Sequence, residues 1–296
     1  MPLPKSFLER MIEGLQQIES YMIEFIDASS VGQWEKNMGS PVRLVRPDFH
    51  WEPSDEVQTR LQIRLKGSYS QWIAQLRLLL HGGPEEILTD VRQTDEFVVD
   101  WIEKRMGSEW CLGPDMEKNK AVFRGGLEPF YRLIRSLDDA SKRELILVPD
   151  TNSMIQSPDP SQYSTLHGED KYTIVILPTV LAELDKLKVA ARDSDFRDKV
   201  RSAIKRIKGF RNQGSLLKGI TVNRTVTVRT VAKEPDFKET LGWLDEGNND
   251  DRIIASTFEL QRVNPSAIVV LVTGDINLQN KAELANLPFY EPPEEK

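Results

Sequence analysis

The sequence predicts an α/β fold for its second half, a central parallel sheet flanked by helices, preceded by a mainly α-helical first half. Three observations predict it. Up to about residue 140, apolar residues recur at intervals of three and four, the period of a helix with one buried face. From residue 143, short β-rich runs alternate with helical stretches, the pattern of a sheet covered by helices. The run Ala267–Val272 is apolar at every position, as a strand buried on both faces requires.

The elements follow in order. Phe7, Met11, Leu15, Ile18, Met22 and Phe25 form one stripe of a first helix. A second is expected from Leu61 to Leu79, interrupted at Gly67, and a third from Glu85 to Arg105 with Val91, Val98, Trp101 and Ile102 inward. A fourth spans Val122 to Leu137 and is expected to start after Gly126. The stretch from Pro41 to Pro53 reads as an extended arm. Ser136 to Lys142 reads as a linker, which divides the chain into domains 1–140 and 143–296. Beyond it come a strand at Leu145–Val148, a long surface loop from Gln156 to Asp170 and a strand at Tyr172–Leu177. Pro178 suits a first helical position and opens a helix to about Ala191; a second helix runs from about Asp195 to Asn212. Thr225 to Val231 alternates like a half-exposed strand, and Asn248 to Arg262 is helical before the last strand.

Composition narrows the function. With 296 residues, 39% hydrophobic and 29% charged, the chain is an ordinary folded protein with a sizeable core. A net charge of −7 counts against an unselective nucleic-acid coat and is silent on a local basic groove. The lone cysteine, Cys111, excludes an intrachain disulfide and a cysteine-rich zinc site and suits a reducing, cytoplasmic compartment. Glu9, Glu13 and Glu19 interrupt any signal-peptide core, and no apolar run approaches a membrane span, so no membrane partner is expected.

Ligands of open parallel sheets bind beyond the carboxyl ends of the strands. Asp150 follows the first such strand and Asp275, in Val272-Thr273-Gly274-Asp275, follows the last. Glu183 lies in the second turn of the helix after Tyr172–Leu177, and Asp251 opens the helix after Asn248. Each acid has a plain structural explanation: an Asx turn to Asn152 for Asp150, a pair with Lys186 for Glu183, helix capping for Asp250 or Asp251 and for Asp275. Together on one sheet edge they would repel unless cations neutralised them, and hard divalent ions take such oxygens. Thr151, Asn152 and Thr273 are placed to orient the carboxylates.

Four segments in this order carry a resemblance. ValProAspThrAsn at 148–152, the LeuPro…GluLeuAspLysLeuLys stretch at 177–188, AsnAsnAspAspArgIleIle at 248–254 and ValThrGlyAspIleAsnLeuGlnAsnLysAla at 272–282 resemble the motifs of PIN-domain nucleases. The resemblance covers about residues 143–290 and none of the first half. It implies a PIN-like domain whose Asp150, Glu183, Asp251 and Asp275 bind Mg²⁺ or Mn²⁺. The motif resembled has an acid, two residues and then Ile-Ala, which implies Asp251, before Arg252-Ile253-Ile254-Ala255, rather than Asp250; Asp250, Asn152, Thr273 and Asn277 are left as supporting groups. The implied activity is metal-dependent hydrolysis of single-stranded RNA by an endoribonuclease, single-stranded DNA being the lesser candidate.

Such a substrate needs cations outside the acidic pit. Lys186, Arg192, Arg201, Lys205 and Arg206 fall in one helical region, and Lys281 follows Asp275; they are either a phosphate track or a solvated helix face. The rival reading is a non-catalytic nucleic-acid-binding or protein-scaffold module that keeps the fold. The first half carries no catalytic motif and is expected to serve regulation or assembly, through a second copy or an inhibitory protein partner.

Overall fold

The computed structural model describes residues 3–33, 49–104, 112–190 and 193–294. The chain divides into two compact units, Leu8–Leu137 and a second made of Asp138–Lys296 with the residues up to Phe7.

The first unit is helical. It holds α1 (Phe7–Asp27), the short strands β1 (Val31–Gln33) and β2 (Phe49–Trp51), α2 (Glu56–Leu79), α3 (Glu85–Ile102) and α4 (Met116–Leu137). The α1 stripe is fully buried, and the Trp72 indole N–H donates to the Met11 carbonyl at 2.8 Å, tying α2 to α1. Two expectations fail here. Helix α2 runs unbroken through Gly67, and α4 starts at Met116, ten residues before Gly126. It continues through Gly125, Gly126 and Pro129 because Phe123, Leu127, Phe130 and Ile134 bury one continuous face, and packing outweighs local propensity. Gly126 is required by close approach: a Cβ there would lie 2.1 Å from the Phe97 ring. Part of the expected arm is a strand, β2, paired antiparallel with β1; residues 41–48 lie outside the described residues.

The second unit holds β3 (Leu145–Pro149), α5 (Thr151–Gln156), β4 (Tyr172–Ile176), α6 (Pro178–Ala190), α7 (Ser194–Arg211), β5 (Ile220–Val222), β6 (Val226–Thr230), α8 (Asn249–Val263), β7 (Ile268–Val272), α9 (Ile276–Leu284) and β8 (Phe289–Tyr290). The expected loop from Gln156 to Asp170 is partly ordered, as a 3₁₀ turn over Pro160–Leu166 capped by Asp159. The sheet order is β5-β6-β4-β3-β7-β8, parallel throughout except for β5. β3 and β4 are buried at all five positions, which explains their unbroken apolar runs. From β3 the chain builds outward through β4 to β6, then returns to lay β7 on the other side of β3. The strand order therefore reverses between β3 and β7, where open sheets leave a crevice beyond the strand ends.

Candidate active site

Two aspartates emerge at that reversal. Pro149 of β3 pairs with Val272 of β7, so the residues that follow, Asp150 and Thr273, leave the sheet side by side. The Asp150 N–H donates to the Val272 carbonyl at 3.0 Å, extending the ladder by one bond. Asp150 then caps α5, its Oδ1 accepting from the Ser153 N–H at 2.7 Å. The expected turn to Asn152 is replaced by this cap. Thr273 donates its hydroxyl to Asp150 Oδ2 at 2.5 Å and accepts from the Asp275 N–H at 3.0 Å, so one buried threonine links both acids. Asp275 caps α9 through bonds from the N–H groups of Asn277 (2.7 Å) and Leu278 (3.3 Å). For Asn277 the bond is a backbone one, and its side chain has no part in it.

Glu183 approaches from α6. Its pairing with Lys186 does not form; the carboxylate instead accepts from the Thr151 hydroxyl and, at 2.5 Å, from the Asn249 amide. Those donors come from α5 and α8, so three helices fix one side chain. Asn249 was missed in the sequence, although it stands inside the polar run Asn248-Asn249-Asp250-Asp251.

Asp150, Asn152, Glu183 and Asp275 line one cavity of about 310 Å³, with Asn249, Asp250 and Lys186. Asp251 is not among the lining residues. The α8 cap is Asn248, so the capping role expected of the aspartates is already filled. Asp251 turns inward, accepting from the Asp245 N–H at 2.9 Å and standing 2.7 Å from the Lys281 ammonium. Between the two neighbouring acids, the structure puts Asp250 at the cavity and Asp251 in an internal ion pair. Periodicity could not separate them, because adjacent residues at a helix start differ only in which way the first turn faces.

Burial pushes the Asp150 carboxyl above the ordinary aspartate range; the bonds from Thr273 and Ser153 oppose this and the charge of Asp275 adds to it. A carboxylate so placed gains from a cation. The donor set is hard oxygen, which suits Mg²⁺ or Mn²⁺ in kind. The acids are nonetheless spread around the cavity: among the described residues no group of three or more His, Cys, Asp or Glu side chains is gathered as a ready metal sphere.

The basic candidates part company. Lys186 lines the acid cavity, while Arg201 and Lys205 line a separate groove between α6 and α7. Arg206 leaves that face and forms an ion pair with Asp159. Lys281 is taken up by Asp251 and Asp250. Arg192 lies outside the described residues.

Residues 147–290 match the family model of the PIN domain. The C-terminal half of the chain carries a PIN domain. A stretch of 156 residues, 51% of this chain, is 28% identical to the human transcriptional protein SWT1 and spans 16% of that protein's length. A solved domain of a functionally unknown protein from Methanocaldococcus jannaschii DSM 2661 is similar at 17% identity and a TM-score of 0.32, covering 50% of this chain and 90% of that one. The PIN domain gives the chain a nuclease-like fold. Among the described residues no helix is long and apolar enough to cross a membrane.

Proposed function

We propose that the PIN domain is a metal-dependent phosphodiester hydrolase, an endoribonuclease acting on single-stranded RNA in the cytoplasm. One observation carries the reading: Asp150, Glu183 and Asp275, from three separate segments, line a single cavity at the strand-order reversal, each carboxylate held by neutral donors. Asp150, Glu183, Asp275 and, from its position, Asp250 would hold Mg²⁺ or Mn²⁺. When bound, such an ion supplies Lewis-acid polarisation of a phosphate oxygen and a water of lowered pKa.

The protein's own residues do the positioning. Thr273 and the Ser153 N–H hold the Asp150 oxygens in place, and Thr151 and Asn249 do the same for Glu183. Lys186 at the cavity wall is placed to take a substrate phosphate beside the acids. Asp251 belongs to the frame, as the counter-ion of Lys281. The human relative is by its name a transcriptional protein, which fits a nucleic-acid substrate. The helical first unit is read as an assembly or regulatory module for a second copy or an inhibitory partner.

The test is cleavage of an end-labelled single-stranded RNA by the full chain with Mg²⁺, with Mn²⁺ and with chelator. Cleavage that needs the ion and disappears in Asp150→Asn is expected. Identical products from wild type and Asp150→Asn would overturn the reading. The rival, a PIN fold kept as a binding or scaffold module, draws on the spread of the acids around the cavity. It predicts RNA retention without cleavage in every metal.

A further inference from the structure

Helix α6 separates the acid cavity from two others. Glu183, Lys186 and Leu187 face the acids. On the opposite flank, Lys188 of α6 and Arg201, Lys205 and Lys208 of α7 line a groove of about 450 Å³ with no acid among its described lining residues. Ile204 and Lys208 are shared with a neighbouring cavity of about 650 Å³, walled by Leu181, Leu184, Ile207 and Leu216 and edged by Arg211 and one acid, Asp185. Two large apolar side chains of these segments stand in solvent: Val189, next to Lys188 on α6 and 84% exposed, and Leu217 at the larger cavity, 62% exposed.

The arrangement is selective rather than a uniformly solvated helix. The α7 cations Arg201, Lys205 and Lys208 turn to one groove, whereas Arg206 turns away and pairs with Asp159. Among the described residues, the α7 acid Asp198 pairs with Arg201 at 3.4 Å, in solvent. A row of cations beside an apolar recess matches a chain of phosphates carrying unstacked bases, the pattern by which single strands are held. A duplex keeps its bases stacked inside and has nothing to place in the recess.

We propose that the α6–α7 groove and the adjoining apolar cavity form a second subsite for single-stranded RNA. Phosphates rest on Lys188, Arg201, Lys205 and Lys208, and one unstacked base enters the recess. The strand then crosses α6 past Val189 to reach Lys186 and the acid cavity. The proposal rests on the RNA reading above for its ligand and extends it to residues remote from the acids.

Binding of a fluorescein-labelled single-stranded RNA to the full chain, followed by anisotropy in chelator across a salt series, tests it without any metal. The variant Lys188→Gln/Lys205→Gln/Lys208→Gln should flatten the slope of log affinity against log salt by about 2 and weaken binding on the order of a hundredfold near about 0.1 M salt, one phosphate per lysine. The charge-matched variant Lys171→Gln/Lys233→Gln/Lys238→Gln, at exposed sites elsewhere on the unit, should bind as wild type. An RNA with abasic residues should bind more weakly than its parent, and Leu217→Glu should remove that difference. Equal losses in both triple variants, or none in the first, overturn the track; equal affinity for parent and abasic RNA overturns the recess. Loss of binding in the first triple with unchanged products in Asp150→Asn would sustain the track and sink the nuclease reading; the reverse pattern would do the opposite.

Discussion

Lys281 is where the frame of the site is most exposed to a single change. Its ammonium lies 2.7 Å from Asp251, 3.4 Å from Asp250 and 3.4 Å from the side chain of Asn248, the α8 cap. It thus fastens α9, which Asp275 caps, to the first turn of α8. Lys281→Met keeps the apolar stem, removes the charge and strands the Asp251 carboxylate, whose side chain is 9% exposed. Removing one partner of a fully buried pair costs about 3–5 kcal/mol. Here the Lys281 side chain is 25% exposed and Asp251 keeps its bond from Asp245, so about 2 kcal/mol is expected. For a unit of this size that lowers the melting midpoint by about 4–8 °C, measured by circular dichroism. In an Asp251→Asn background the same change should cost less by at least about 1 kcal/mol, the coupling between the two charges. Burial pulls the Lys281 pKa down, but the bond to Asp251 and the charges of Asp250 and Asp251 hold it above the ordinary lysine value. A raised pKa contributes stability that is present in full below the unfolded value and lost only as pH rises through the folded one. The penalty should therefore be constant between about pH 6 and 9. An unchanged midpoint, or equal losses in both backgrounds, would refute the reasoning.

Thr273→Val removes the hydroxyl that serves both Asp150 and Asp275, and should cost about 1–3 kcal/mol in urea unfolding, with Thr273→Ser recovering most of it. In the helical unit, Gly126→Ala drives a methyl into the Phe97 ring and should destabilise by about 1–3 kcal/mol. Gly125→Ala, with nothing within 4 Å of its Cβ, should stabilise by up to about 1 kcal/mol. Burial works to raise the Asp159 carboxyl, but bonds from Ser161 and the Arg206 pair hold it below the ordinary range. Its stabilisation is present above the unfolded aspartate value and lost as pH falls through the folded one, so Asp159→Asn should flatten the acid limb of a stability profile below about pH 4 and leave the neutral region's shape unchanged.

The strands β3, β4, β6 and β7 and the helices α6, α7 and α8 were legible because burial on both faces and burial on one face write different periods into the chain, whereas β5, β8 and α5 are too short to carry a period. β3 and β7 are read from residue type alone. Helix continuity through Gly67 and Gly126 was not, since a glycine's local cost is overruled by contacts made by residues far along the chain. At the site, position relative to a strand end was enough to place Asp150 and Asp275, and a helical second turn was enough for Glu183. The resemblance ranked Asp251 over Asp250, but nothing local in the sequence tells which way the first turn of α8 aims each of them. That orientation involves Lys281, about thirty residues away, which stands 2.7 Å from the inward-turned Asp251 and 3.4 Å from Asp250, the acid that lines the cavity.

The plain and the functional explanations of these aspartates are the same geometry. A carboxylate has two oxygens, and a helix cap uses one. Asp150 spends Oδ1 on Ser153 and directs Oδ2 toward Thr273, while Asp275 spends Oδ1 on Asn277 and Leu278. Capping fixes the torsion of each side chain at the point where a parallel strand hands over to a helix. The fold therefore delivers oriented carboxylates at the strand-order reversal as a by-product of starting α5 and α9 correctly. Glu183 lacks this device, sitting in the second turn of α6, and needs Thr151 and Asn249 from two other helices to be held. On this argument Thr151→Val with Asn249→Ala should free Glu183 while leaving both capped aspartates in place. Affinity for Mn²⁺ by titration calorimetry should then fall by less than in Asp150→Ala, which loses a cap and a donor together. An equal or larger fall would mean that Glu183, not the capped pair, organises the cavity.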